Sequence, residues 1–368
     1  MLRRRARNEK DISGCAIVGI MSEAGHRFGG QTIIRAIANM HERSNGLGGG
    51  FAAYGIYPEH RDQYALHVMF DDLEAKHATE SILSAQCLVY SDESIPIQPL
   101  DVIKSGPILH RYFVDVKPEV LKRSYDLTEE DIIVEVVMHI NAGIEGAFVF
   151  SSGKNMGVFK GVGYPEDIGR FYRLAEYEAY TWTAHGRFPT NTTGWWGGAH
   201  PFGILDWSIV HNGEISSYGI NRRYLANFGY RCTLQTDTEV VAYLFDLLVR
   251  KHKLSFEAAC TAMAPPFWEQ IQRMSEERRE TTRAIRTVYG GALLNGPFSV
   301  LVGHKGGMIG FNDRIKLRPM VAGRKDDRLY IASEEGAIRE VCPDVERIWH
   351  AEGGVPIVGE LTNGQAAG

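Results

Sequence analysis

An α+β fold is predicted for this chain by three features of its sequence. Apolar runs of strand length lie toward both ends, as in "CAIVGIM" near the start and "GPFSVLVG", "GMIGF" and "RLYIAS" near the end. Between them, apolar residues recur at helical spacing in "LTEEDIIVEVVMHI" and "TDTEVVAYLFDLLVRKH". The chain has 368 residues, 44% hydrophobic and 23% charged, enough to bury a large core and ordinary for a globular protein.

In order along the chain, residues 1–14 form a charged leader that begins "MLRRRARNEK". It is basic like the start of a signal peptide, but the apolar run after it is too short for a signal core. No segment approaches the apolar length that a bilayer demands, so no membrane partner is expected. A strand is expected from Cys15 to Met21, then a turn at "SEAGHRFGG" and a helix in "QTIIRAIANMH", where Ile33, Ile34, Ile37 and Ala38 share a face. "RSNGLGGG" is a glycine-rich loop, either a mobile flap or a plain hairpin connection, before the strand "FAAYGIY".

Residues 58–175 read as an inserted α+β subdomain without a catalytic constellation, built from strands such as "YALHVMF" and "GAFVFSS" with helices between. Strands return at "AYTWTAHGRF" and "SIVHNGEI". A long helix then starts at Thr236, which with Glu239 makes a capping-box pattern. Val240, Val241, Leu244, Leu247 and Leu248 form its apolar face. A second long helix is expected after Pro265 and Pro266, its run "SEERRETTR" forming a solvated face. Residues 15–345 are taken as one main domain. The glycine-rich tail, 346–368, is either flexible or ordered by a partner.

A formal net charge of -5 offers no reason to expect a nucleic-acid partner. The five cysteines, Cys15, Cys87, Cys232, Cys260 and Cys342, are scattered, odd in number and without C-x-x-C spacing. Neither a disulfide scaffold nor a metal or iron–sulfur site in this chain is expected, and a reducing, cytoplasmic setting follows.

Chemistry-bearing residues cluster in three stretches beyond Cys15. Arg187 leads "HGRFPTNTTGWWGGAHPF", Asn212 and Gly213 follow a strand in "VHNGEI", and Asp237 opens a helix in "TDTE". Each has a plain local reading. Cys15 can be a small core residue, Arg187 a surface ion-pair partner, Asn212–Gly213 a hairpin turn and Asp237 a carboxylate favoured by the helix dipole.

Taken together and in order, these stretches resemble the class II glutamine amidotransferases, the amidotransferase portion of glutamate synthase above all. "CAIVGI" is similar to that family's opening "CGIVG", and "RFPTNT", "AHPF" and "HNGEISS" to its "RFSTNT…AQP…HNGEIN". "FNDRIKLRPM" followed by "ASEEGAI" resembles its late "DR-x-x-LRP…ASE" segment. The sequence departs from the pattern at Ala16, at Pro189 and in "HERSNG". The resemblance implies the four-layer αββα sandwich of N-terminal-nucleophile hydrolases, with the 58–175 insertion on one side.

It also implies roles. Cys15 is the nucleophile and, once residues 1–14 are removed as a propeptide, its own α-amino group is the base. With the leader attached that nitrogen is an amide and cannot accept a proton, whereas a terminal amine of pKa about 8 can. Asn212 and the Gly213 N–H form the oxyanion hole. Arg187 clamps the α-carboxylate of glutamine and Asp237 its α-ammonium. Arg43 and Thr190 join the substrate contacts.

No P-loop, adenylation loop, phosphoribosyl-binding segment or flavin barrel is visible in the sequence, and no metal or cofactor is expected in this chain. The ammonia acceptor is therefore expected on a partner synthase subunit carrying FMN and iron–sulfur, which converts 2-oxoglutarate to glutamate. The alternatives are a subunit of another acceptor enzyme, such as N-methylglutamate synthase, and a degenerate subunit that never exposes Cys15.

Overall fold

The computed structural model describes residues 14–104, 106–188, 194–234 and 236–362. Its centre is a pair of sheets, one of seven strands and one of five, with every pairing inside them antiparallel.

The opening strand, Ala16–Ser22, is buried along its whole length, because both of its faces are covered. Ala16, Val18 and Ile20 pack toward the helices Gln31–Ala38, Pro165–Phe171 and Glu335–Val341 in one core, while Ile17 and Met21 pack against Val210, Leu301 and Met308 of the other sheet. A strand between two covered faces has no polar side, so its sequence runs apolar without alternation. The five-stranded sheet is covered in turn by helices that include Asp237–Phe245 and Phe256–Met263, whose Val240, Val241, Leu244 and Ala259 share a core with Ile209 and Val300. Helices, sheet, sheet, helices: this is the four-layer α+β sandwich.

A separate four-stranded sheet lies between Tyr64 and Ser151, in the order Cys87–Ser94, Ile108–Val116, Tyr64–Phe70, Ala147–Ser151. Helix Glu129–Gly143 packs on it and starts with a capping box in which Thr128 and Asp131 exchange backbone hydrogen bonds of 3.2 Å. The excursion is shorter than its sequence boundaries suggested. Strand Met156–Gly161 pairs with Gly49–Tyr54 in the seven-stranded sheet, and helix Pro165–Phe171 covers that sheet, so both belong to the sandwich.

Other expectations change in detail. Glu239 does not cap its helix; its carboxylate accepts the backbone N–H groups of Thr233 and Leu234, each at 3.0 Å, and Thr236 caps alone by accepting from Thr238 N–H at 3.2 Å. After Phe245 the helix widens into a π turn, Asp246–Lys251. The segment after Pro266 is two helices, Trp268–Gln272 and Glu276–Val288, and Thr282 is the one buried residue of the second. The tail is not loose as far as Thr362. Arg347–His350 and Ile357–Glu360 add edge strands to the two sheets, the latter opposite Gly307–Gly310. Among the described residues no helix is long and apolar enough to cross a membrane.

Candidate active site

Strand register brings the candidate residues together. Ala16 faces Gly186 across the ladder between the opening strand and Thr181–Gly186, so Cys15 and Arg187 are the next residues at the same end. Gly49 faces Gly186 on its other side, and the Arg187 N–H donates to the Gly48 carbonyl at 2.8 Å. The glycine-rich loop folds over this point. The Arg187 carbonyl accepts from the Ser44 hydroxyl and the Asn45 N–H, each at 3.2 Å. Gly49 and Gly50, part of that glycine run, are strand residues.

The second sheet contributes the end of Trp207–Gly213, where Asn212 is fully buried. Asn212 joins the opening strand through Ser333. The Ser333 hydroxyl accepts from Asn212 Nδ2 at 3.4 Å and from Ile17 N–H at 3.1 Å. Gly213 has φ +148, and a Cβ there would stand 2.0 Å from the Pro297 carbonyl oxygen, so glycine alone fits.

Cys15 keeps some exposed surface while its sulfur is enclosed. Burial pushes the thiol above its ordinary value. The Phe188 N–H, 3.4 Å from Sγ, and the guanidiniums of Arg187 and Arg318 act the other way, and Asp237 reinforces the rise. Arg187 lies within electrostatic reach of both Cys15 and Asp237; burial disfavours its charge and these two neighbours favour it. Asp237 is the first residue of helix Asp237–Phe245. Burial would raise its pKa, but His211, the Ile215 N–H at 2.8 Å and the Thr238 hydroxyl at 3.3 Å outweigh that and hold the carboxyl below its usual range.

Arg43 grips the backbone of Cys15. Its Nε donates to the Cys15 carbonyl at 3.2 Å, and Nη1 pairs with Glu334 at 2.7 Å. Thr190, Pro189 and residues 1–13 lie outside the described residues. Among the described residues no group of His, Cys, Asp or Glu is arranged to hold a metal ion.

Several neighbours were not singled out from sequence. Arg318 sits in the quoted "DRIKLRP" run, in a turn shaped by Asp313, whose carboxylate accepts the N–H groups of Ile315, Leu317 and Phe298 at 3.1, 2.9 and 3.2 Å. Ser333 and Glu334 come from the "ASEEGAI" run. Behind Asp237 stand the buried His185, His200 and His211. Their local pattern carries no signal: His185 and His211 lie singly on buried strands and His200 in the loop before Phe202–Ile204, and a lone histidine reads as core.

Set against known proteins, residues 101–365 match the family model described as glutamine amidotransferases class-II. An uncharacterized protein of Archaeoglobus fulgidus is 53% identical over 356 residues, covering 96% of this chain and 94% of its own length. The glutamine amidotransferase-like protein GlxB of Rhizobium meliloti is 27% identical over 207 residues, 55% of this chain and 59% of that protein. Glutamine–fructose-6-phosphate aminotransferase of Pseudomonas aeruginosa is 27% identical over 177 residues, 46% of this chain and 26% of that enzyme. The family match leaves Cys15 outside it but runs through the strand ends and helix start that carry Arg187, Asn212 and Asp237, and over most of the chain's length; this protein belongs to the class II glutamine amidotransferases.

Proposed function

We propose that the chain hydrolyses glutamine through a Cys15 thioester and delivers ammonia to a partner synthase. The observation that supports this most is the meeting of Cys15, Arg187 and Asp237 at one end of the sandwich, each within electrostatic reach of the other two. A nucleophile beside one fixed cation and one fixed anion suits a free amino acid, whose head group carries both charges.

In this reading Arg187 takes the α-carboxylate and Asp237 the α-ammonium, which lays the side-chain amide over Cys15. The sulfur attacks the amide carbon. The thiol proton passes to the α-amine of a processed Cys15 and on to the departing nitrogen, so the C–N bond breaks, ammonia leaves and a thioester remains. Water then gives a proton to the same amine, attacks the thioester and releases glutamate with the thiol restored. At both tetrahedral stages Asn212 and the Gly213 N–H hold the oxyanion.

We infer glutamate synthase as the acceptor system, with FMN and iron–sulfur on the partner. The support is the likeness of "DRIKLRP" and "ASEEGAI" to that family's late segment. The test is reconstitution of this chain with the synthase subunit that co-purifies with it. Glutamine-dependent conversion of 2-oxoglutarate to glutamate is expected. Incorporation of methylamine instead would assign N-methylglutamate synthase, and no ammonia release from glutamine under any pairing would leave the degenerate subunit.

A further inference from the structure

Behind the Asp237 carboxylate, one hydroxyl gathers two histidines. Thr238 Oγ1 lies 2.7 Å from His200 Nε2, 3.0 Å from His211 Nδ1 and 3.3 Å from Asp237 Oδ1. His200 also stacks on His185, with ring centres 3.9 Å apart and planes 19° from parallel, and His185 Nε2 meets the His211 carbonyl at 2.9 Å. His185 and Thr238 are fully enclosed, and His200 and His211 nearly so.

A hydroxyl has one proton and two lone pairs. The ionised Asp237 Oδ1 can only accept, and the Thr238 hydroxyl at 3.3 Å is nearer to it than the Thr236 hydroxyl at 3.5 Å or His211 Nδ1 at 3.7 Å, so the Thr238 proton is assigned to it. Both imidazoles must then donate to the Thr238 oxygen. That fixes His200 with its proton on Nε2 and His211 with its proton on Nδ1. His185, facing a carbonyl, carries its proton on Nε2 by the same reasoning. The array therefore has a direction: two imidazole N–H groups polarise one hydroxyl, and that hydroxyl holds one oxygen of the carboxylate. The Ile215 N–H holds the other oxygen at 2.8 Å.

We propose that Thr238, oriented by His200 and His211, is a positioning residue that sets the Asp237 carboxylate to receive the substrate ammonium. This rests on the reading of Asp237 given above. Held at one oxygen by the Ile215 N–H but without the Thr238 hydroxyl, the carboxylate would turn more freely, and each binding event would have to order it again. The geometry assigns the three buried groups a task that core packing alone would not ask of them, since apolar residues would fill the same space without any need for partners.

The test compares glutaminase KM and kcat in Thr238→Val, Thr238→Ser and Asp237→Asn enzymes. Thr238→Val keeps the shape and removes the hydroxyl, so KM for glutamine should rise about tenfold with kcat within about threefold. Thr238→Ser restores the hydroxyl and should recover most of that loss. In the Asp237→Asn background Thr238→Val should add little, because the group it positions is gone. If Asp237→Asn raises KM while Thr238→Val does not, the positioning role is wrong and the Asp237 reading stands. If Asp237→Asn leaves KM unchanged, both fall. A second measurement needs no variant to fold: imidazole ¹⁵N shifts of the wild-type chain should show protonated Nε2 on His200 and protonated Nδ1 on His211. The opposite tautomer at either residue would overturn the proposal.

Discussion

Asn212 Nδ2 donates to the Ser333 hydroxyl across 3.4 Å, and that hydroxyl also accepts the Ile17 N–H at 3.1 Å. One side chain thereby ties the end of a strand in one sheet to the strand that follows Cys15 in the other. The longer contact is near the limit for a hydrogen bond, so the amide is oriented without being held tightly.

If this amide serves the oxyanion, Asn212→Ala should lower kcat by about two to three orders of magnitude with little change in KM. Steady-state glutaminase kinetics decide it. Unchanged kcat would return Asn212 to the role of a strand-end residue.

Arg187 and Asp237 should govern recognition. Arg187→Lys loses the planar fork that suits a carboxylate and should raise KM for glutamine more than it lowers kcat. Asp237→Ala should do likewise. Wild-type KM in both variants would rule out their assignment as the two ends of the substrate clamp.

Much of this arrangement was legible in the sequence, for a definite reason. Cys15 precedes the strand Ala16–Ser22, Arg187 follows Thr181–Gly186 and Asn212 closes Trp207–Gly213 with Gly213, and strand ends are where side chains leave a covered sheet. Their convergence follows from register, because Ala16 opposite Gly186 decides what comes next on both strands. Edge strands were harder to see. Arg347–His350 and Ile357–Glu360 are four residues each and carry charge, and pairing rather than pattern defines them. The end of the insertion was misplaced since Met156–Gly161 is as apolar as the strands before it, and sequence does not say which sheet a strand joins. The histidines behind Asp237 stayed hidden because Thr238 links residues 27 and 38 positions apart in the chain.

Gly213 should not tolerate a side chain. Gly213→Ala would place a methyl 2.0 Å from the Pro297 carbonyl oxygen at a φ of +148. Strain of this kind costs on the order of 1–3 kcal/mol before the clash is counted. A fall of at least about 2 kcal/mol in unfolding free energy is expected in urea titration. An unshifted midpoint would mean that the 213–214 backbone can move away.

Acid should weaken the fold through its buried imidazoles. Burial pushes His67 and His185 down to about 3 and His304 to about 4. In the unfolded chain each titrates near about 6.5. Below that pH the unfolded state binds protons that the native state refuses, so stability present at neutral pH is lost as pH falls from about 6.5 toward 3. Each group can contribute up to about 2 kcal/mol of loss between pH 6.5 and 5. Urea unfolding at pH 7 and pH 5 measures the sum. Equal stability at the two would show these rings protonated inside the fold.

Cys15 should be silent until the leader is gone. In the chain described here its nitrogen is an amide, its sulfur is enclosed, and burial holds the thiol above its ordinary value despite the Phe188 N–H and two nearby guanidiniums. Labelling of the unprocessed chain by a diazo-ketone analogue of glutamine should therefore be slow at neutral pH and rise as pH increases, since the thiolate is the reactive form. Removal of residues 1–14 sets an amine beside the sulfur. In its protonated form that amine stabilises the thiolate, and as a free base it accepts the thiol proton, so the labelling profile should move to lower pH. Intact mass should show one adduct, and peptide mapping should place it on Cys15 and on none of the other four cysteines. Cys15→Ala should lose both the adduct and ammonia release while its unfolding midpoint stays close to wild type, because the change removes one sulfur atom. Cys15→Ser should also fall steeply, an alkoxide being far harder to form than a thiolate. Rapid glutamine hydrolysis by a chain that retains its leader, or by Cys15→Ala, would sink the idea that the nucleophile is made by exposing this residue.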